Sequence, residues 1–124
     1  MENDVFCQIV HGEIPAHKVW EDENFLAFLD INPKSYGHTL VIPKKHFRWV
    51  WDLPADRQTS PNFGQYFEAV QKVEKMLEKS LKPQFVEMLV YGLDVPHAHV
   101  QLIPHHAVLP PSETLAETAA KIRG

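Results

Sequence analysis

The side chains best suited to chemistry fall in one stretch, Val95-Pro96-His97-Ala98-His99-Val100-Gln101-Leu102-Ile103. Read as a β-strand with a period of two, it puts His97, His99 and Gln101 on one face, expected to meet solvent, and Ala98, Val100 and Leu102 on the other. Two imidazoles and an amide in a row suit three chemistries: holding a phosphate, binding a metal, or supplying a nucleophile. A purely structural reading fits poorly, because the polar residues occupy successive positions of one face on an otherwise apolar strand. A metal site within the strand alone also fits poorly, since no carboxylate follows and Gln101 is a weak ligand. Covalent chemistry carries the most weight.

The elements that must position this stretch read as follows. Asp4 can cap a short helix bearing Val5, Phe6, Ile9 and Val10, with Gly12 ending it. His17 to Trp20 and Phe25 to Asp30 read as a hairpin around the polar turn 21–24, and His38 to Pro43 as a third strand after a turn-rich segment. Residues 47–56 predict an irregular or partly helical connection. From Asn62 to Leu81 apolar residues recur every three or four positions, with Ser60-Pro61 before and Pro83 after, which predicts a long helix. Phe85 to Tyr91 predicts a fourth strand, and Gly92-Leu93-Asp94 a tight turn that would pair it antiparallel with the histidine strand. Residues 104–111 read as loop, and Ser112 as the cap of a last helix carrying Leu115, Ala119 and Ile122. Short strands without regular βαβ alternation predict an α+β fold with an antiparallel sheet, its helices covering one face.

Composition excludes several function classes. A chain of 124 residues suits a single domain, residues 1–124, that buries about two-thirds of its unfolded surface. No apolar run approaches the roughly 18 residues of a membrane span. The acidic start Met1-Glu2-Asn3-Asp4 does not read as a signal peptide, and the single Cys7 has no disulfide partner within the chain, so a cytoplasmic location is expected. A net charge of −4 gives no footprint for nucleic acid; the basic group Lys44-Lys45-His46-Phe47-Arg48 reads as a solvated strand end.

With the elements in place, Pro96-His97-Ala98-His99-Val100-Gln101-Leu102-Ile103-Pro104 resembles the signature of the histidine-triad family of nucleotide hydrolases and nucleotidyl transferases, with Gln in the third triad position. Further blocks resemble the same family in the same order: Val5 to Pro15, its opening helix and turn; Phe25 to Pro33, then Gly37 to His46, its central hairpin. The resemblance implies a five-stranded antiparallel sheet with helices, and a homodimer through the long helix and adjoining sheet edge that makes a continuous ten-stranded sheet.

It also implies roles. His99 would be the nucleophile that attacks the α-phosphorus of a purine nucleotide and becomes a nucleotidyl-histidine, with no cofactor required for catalysis. His97 would orient the site and His38 would sit behind it, their ring N–H groups held by backbone carbonyls. Asp30 would take the ribose hydroxyls, and Val5, Phe6, Ile9, Ile14 and Phe28 would wall a purine slot. Dinucleoside polyphosphates and nucleoside phosphoramidates are the implied substrates.

Three positions depart from the family pattern. Gln101 can donate a hydrogen bond to a phosphate oxygen but cannot deliver a proton, which favours acidic leaving groups. Gly92-Leu93-Asp94-Val95 lacks the phosphate-binding donors that many members carry before the triad, and Asp94 adds a negative charge there. Where some members bind structural zinc through paired cysteines and two histidines, this chain has Asp4, Cys7, His46 and His97, a set that still suits tetrahedral zinc. The competing reading is a nucleotide-binding protein with weak or absent catalysis. A metal-dependent or metal-storing β-protein is a third.

Overall fold

The computed structural model describes residues 3–124. In chain order it contains α1 (Val5–Val10), β1 (Lys18–Glu21), β2 (Phe25–Leu29), β3 (Thr39–Pro43), a 3-10 turn (Val50–Asp52), α2 (Phe63–Leu81), β4 (Phe85–Leu89), β5 (Val100–His105) and α3 (Leu115–Arg123). The strands form one antiparallel sheet in the order β1-β2-β3-β5-β4, so β4 is an edge. This is the expected α+β architecture.

The sheet is covered on both faces, which corrects the expectation of helices on one. Alternation along β2 sends Phe25, Ala27 and Leu29 toward a core shared with α2 and α3, and Leu26 and Phe28 toward Phe6 and Ile9 of α1. Every residue of β2 and β3 is therefore buried. His97, His99 and Gln101, expected to face solvent, are 0%, 2% and 4% exposed because α1 closes over that face.

Local chemistry sets the ends of the elements. Asn62 and Gln65 form a reciprocal cap for α2, and Lys82 ends it in a left-handed conformation (φ 50°) just before Pro83. The cap of α3 is Thr114, not Ser112: Thr114 is followed three residues on by Glu117, which returns the hydrogen bond, whereas Ser112 is followed there by Leu115. Pro104, expected in a loop, lies within β5, and pairing to β3 has already stopped at Leu102.

β4 does pair antiparallel with β5, from Phe85↔His105 to Leu89↔Gln101, but no tight turn joins them. The chain leaves the sheet at Val90 and returns at Val100. Along the way the Arg48 guanidinium donates to the Gly92 carbonyl at 2.9 Å, and Trp49 packs so closely that a Cβ on Gly92 would lie 3.0 Å from its ring. Ala98 N–H then bonds Phe47 O at 2.7 Å, so the histidine segment is held by the 43–48 connection instead of by β4.

Candidate active site

A cavity of about 410 Å³ opens between α1 and the sheet. Phe6, Ile9, Ile14, Phe28 and Leu40 make its apolar walls, with Val5 at the half-exposed rim. His99 and Gln101 also line it, together with the polar Asp30, Asn32, Lys34 and Asp94. The five apolar positions expected to hold a base thus share one cavity with Asp30, His99 and Gln101. Leu40 and Lys34 were not anticipated; Leu40 carries the same alternation as Leu26 and Phe28, whereas no local pattern marks Lys34.

Hydrogen-bond chemistry fixes the form of each ring. His99 Nδ1 lies 2.8 Å from His97 O, and a carbonyl only accepts, so Nδ1 carries the proton. That leaves Nε2 of His99 with a free lone pair, in a side chain that lines the cavity. Phe6 presses edge-on against this ring, with centroids 5.3 Å apart. His97 makes the same kind of bond through its other nitrogen, Nε2 to Pro43 O at 2.8 Å. Its Nδ1 is then the unprotonated atom, and it points away from the cavity.

His38 lies directly behind Gln101, but a backbone carbonyl does not hold its N–H, contrary to expectation. The Lys34 N–H donates to His38 Nδ1 at 3.0 Å, so the ring proton sits on Nε2, 3.0 Å from Gln101 Oε1. Gln101 must therefore present its oxygen to His38 and its amide N–H groups elsewhere. Burial pushes the His38 pKa down, outweighing Asp30, whose Oδ2 lies 3.7 Å from Nε2 and pulls it up. Asp30 Oδ1 accepts the Asn32 N–H at 2.9 Å, closing the turn, so the carboxylate serves the turn and the cavity together.

A second polar cluster sits behind His97. Asp4, Cys7, His46 and His97 each offer one ligand atom, all within 4.8 Å of one another. Asp4 Oδ2 is 2.9 Å from His46 Nδ1, 3.2 Å from His97 Nδ1 and 3.4 Å from Cys7 Sγ, and Cys7 Sγ is 3.5–3.6 Å from the two rings. Zinc bonds of roughly 2.0–2.3 Å at tetrahedral angles separate ligand atoms by about 3.3–3.8 Å, close to these distances. The bond from His97 Nε2 to Pro43 leaves a lone pair on Nδ1 facing a carboxylate, an arrangement that calls for a proton or a cation between them. The donor set therefore fits a tetrahedral divalent ion. Burial would raise the Asp4 carboxyl, but the Cys7 N–H, the facing His97 and the Cys7 thiol hold it below its ordinary value. Asp4 also caps α1 through Oδ1, 2.8 Å from Cys7 N, tying helix and cluster together.

Residues 11–108 match the family model described as HIT domain. An uncharacterized HIT-like protein of Methanocaldococcus jannaschii is 40% identical over 82% of this chain and 78% of its own length. A protein named adenylylsulfatase from Arabidopsis thaliana is 33% identical over 84% of this chain and 53% of its own. One named adenosine 5'-monophosphoramidase from Saccharomyces cerevisiae is 32% identical over 81% and 61%. Among solved structures, a HIT-like protein from Bartonella henselae superposes with a TM-score of 0.83 at 36% identity, covering 98% of this chain and 95% of that one. A Zn-bound histidine triad family protein from Mycobacterium smegmatis gives 0.78 at 32%, covering 96% and 89%.

Proposed function

The chain belongs to the HIT domain family, and on that premise we propose that it is a nucleotide hydrolase or nucleotidyl transferase working at the α-phosphate of purine nucleoside phosphates. The observation that carries this reading is His99: its Nδ1–H is committed to the His97 carbonyl, which leaves the Nε2 lone pair free on a side chain that lines an apolar-walled cavity of nucleoside size.

The base lies between Phe6, Ile9, Ile14, Phe28 and Leu40, with Val5 at the rim, and the ribose hydroxyls reach Asp30. His99 Nε2 forms a bond to the α-phosphorus as the bond to the leaving group breaks and that group departs with the electron pair. Gln101, its oxygen turned to His38, donates an amide N–H to a non-bridging phosphoryl oxygen. Gln101 has no proton to transfer, so phosphates and other acidic groups leave best, while an amine draws its proton from water. Water or a second acceptor then attacks the phosphorus, the N–P bond breaks, and its electron pair returns to Nε2. The names of the Arabidopsis and yeast relatives, adenylylsulfatase and adenosine 5'-monophosphoramidase, support this class.

Asp4, Cys7, His46 and His97 would hold a structural zinc, in line with their spacing and with the Zn-bound Mycobacterium smegmatis neighbour. When bound, the ion cross-links α1 to the 43–48 connection and the triad segment. A homodimer joining two β4 edges and the neighbouring α2 helices completes the reading; Phe85 and Met88, 57% and 54% exposed on that edge strand, favour it.

Two successive displacements retain configuration at phosphorus. A nucleotide substrate with a chiral phosphorothioate at the α-position, hydrolysed in isotopically labelled water, should give net retention. Inversion would exclude the covalent route.

A further inference from the structure

Two carboxylates, Asp30 and Asp94, line the first cavity, and Lys34 is the only Lys or Arg among the described residues that line it. Lys34 also lines a second cavity, of about 500 Å³, where again no other described lining residue is a Lys or Arg. It forms no ion pair among the described residues. A phosphorylated ligand would therefore enter a site whose fixed charge is negative, with one unpaired ammonium to receive it. We propose that Lys34 is the phosphate-binding cation of this site and that it selects substrates whose leaving group is itself an anion, a phosphate or a sulfate. This inference rests on the assignment of the first cavity to a nucleotide.

The other donors on the first lining are weaker. Asn32 and Gln101 are neutral amides, and the His99 N–H is taken by the His97 carbonyl. The turn that carries Lys34 is fixed before any ligand arrives. Asp30 N–H donates to His38 O at 3.0 Å, His38 N–H to Ser35 O at 3.1 Å, and the N–H of Lys34 itself to His38 Nδ1 at 3.0 Å. From outside, Tyr36 O accepts from His106 Nε2 at 2.8 Å, while the Tyr36 hydroxyl donates to Glu113 and accepts from Lys121 Nζ at 2.7 Å. Lys121 is thus spent on Tyr36 and Glu113, and only the side chain of Lys34 has to order on binding. Burial is the main reason that the His38 pKa is low, and the Lys34 charge lowers it further, so that charge is felt at the ring backing Gln101. A phosphate or sulfate on the α-phosphorus is negative throughout and gains charge as the bonding electron pair reaches it, which an ammonium facing it stabilises. An amine, which departs neutral, gains nothing from Lys34.

The test compares, by calorimetry, the affinities of AMP and of methylene-bridged ADP, whose β-phosphate stands for an anionic leaving group, on wild type, Lys34→Gln and Lys34→Arg. Both substitutions keep the main-chain N–H that bonds His38 and change an exposed side chain, so neither threatens the fold. Wild type should bind the diphosphate analogue about tenfold or more tightly than AMP, the effect of one charge-assisted hydrogen bond. Lys34→Gln should bring the two ligands to within about twofold, and Lys34→Arg should keep most of the preference. No preference in wild type, a preference that survives Lys34→Gln, or one that Lys34→Arg loses as fully would overturn this inference and leave the first cavity's assignment standing. Absence of AMP binding to wild type would overturn both.

Discussion

His38 Nε2 lies 3.0 Å from Gln101 Oε1, and the backbone N–H of Lys34, 3.0 Å from His38 Nδ1, decides which of the two ring nitrogens carries the proton. One main-chain amide in the 31–37 turn thereby fixes the orientation of a side-chain amide on β5. In the proposed mechanism His38 is a positioning residue that would act on the phosphate through Gln101.

That chain of bonds predicts non-additivity. Gln101→Ala should lower the rate of nucleotidyl transfer by about 10²-fold, the usual effect of losing one preorganised donor. His38→Ala should lower kcat with little change in KM in the wild-type background, and have almost no further effect on kcat in Gln101→Ala. A full additional loss in the double variant would show that His38 acts independently. Gln101→Glu should be as slow as Gln101→Ala, because a carboxylate still accepts from His38 but has nothing to donate to phosphate.

The buried neutral His38 also sets a pH dependence. Its folded pKa lies below the ordinary value of 6.5, so between the two values the unfolded chain binds more protons than the native one. Its contribution to stability is complete above pH 6.5 and is lost as pH falls below it. Denaturant unfolding between pH 8 and pH 5 should show wild type losing more stability than His38→Gln on the acid side; parallel curves would contradict this.

Metal removal should act on structure first. The cluster links Asp4 and Cys7 of the α1 region to His46 and His97, and the His97 carbonyl holds His99. Purified protein should carry one zinc per chain, and chelation should lower Tm and slow turnover together. Cobalt substitution should give a thiolate charge-transfer band in wild type that disappears in Cys7→Ser. A cobalt spectrum unchanged by that substitution would remove Cys7 from the ligand set.

A core prediction concerns Tyr66, which is fully buried and donates to Val41 O at 2.6 Å while stacking on Phe25 with centroids 5.2 Å apart. Tyr66→Phe leaves a buried carbonyl short of a partner and should cost about 1–2 kcal/mol in denaturant unfolding, with activity retained.

Local patterns carried most of the fold. The alternation of His97, His99 and Gln101 with Ala98, Val100 and Leu102 correctly separated the two faces of the segment, and the Asn62 to Leu81 periodicity gave α2 to within one residue, Asn62 being its N-cap. What was not legible depended on contacts distant in sequence. Gly92-Leu93-Asp94 has turn composition, but Arg48 and Phe47 draw the chain away from β4 there. The burial of the triad face depends on where a six-residue helix folds back, and α1's own sequence says only that it lies on something apolar. The His38 tautomer depends on a backbone N–H four residues upstream, at Lys34, which side-chain identity does not encode.

The most direct measurement is an intact-mass spectrum, recorded without acid, after brief incubation with diadenosine polyphosphate and separately with an adenosine phosphoramidate. A nucleotidyl adduct on wild type that is absent from His99→Ala is the predicted result. Turnover by wild type with no adduct, or an adduct that persists in His99→Ala, would contradict covalent catalysis at His99.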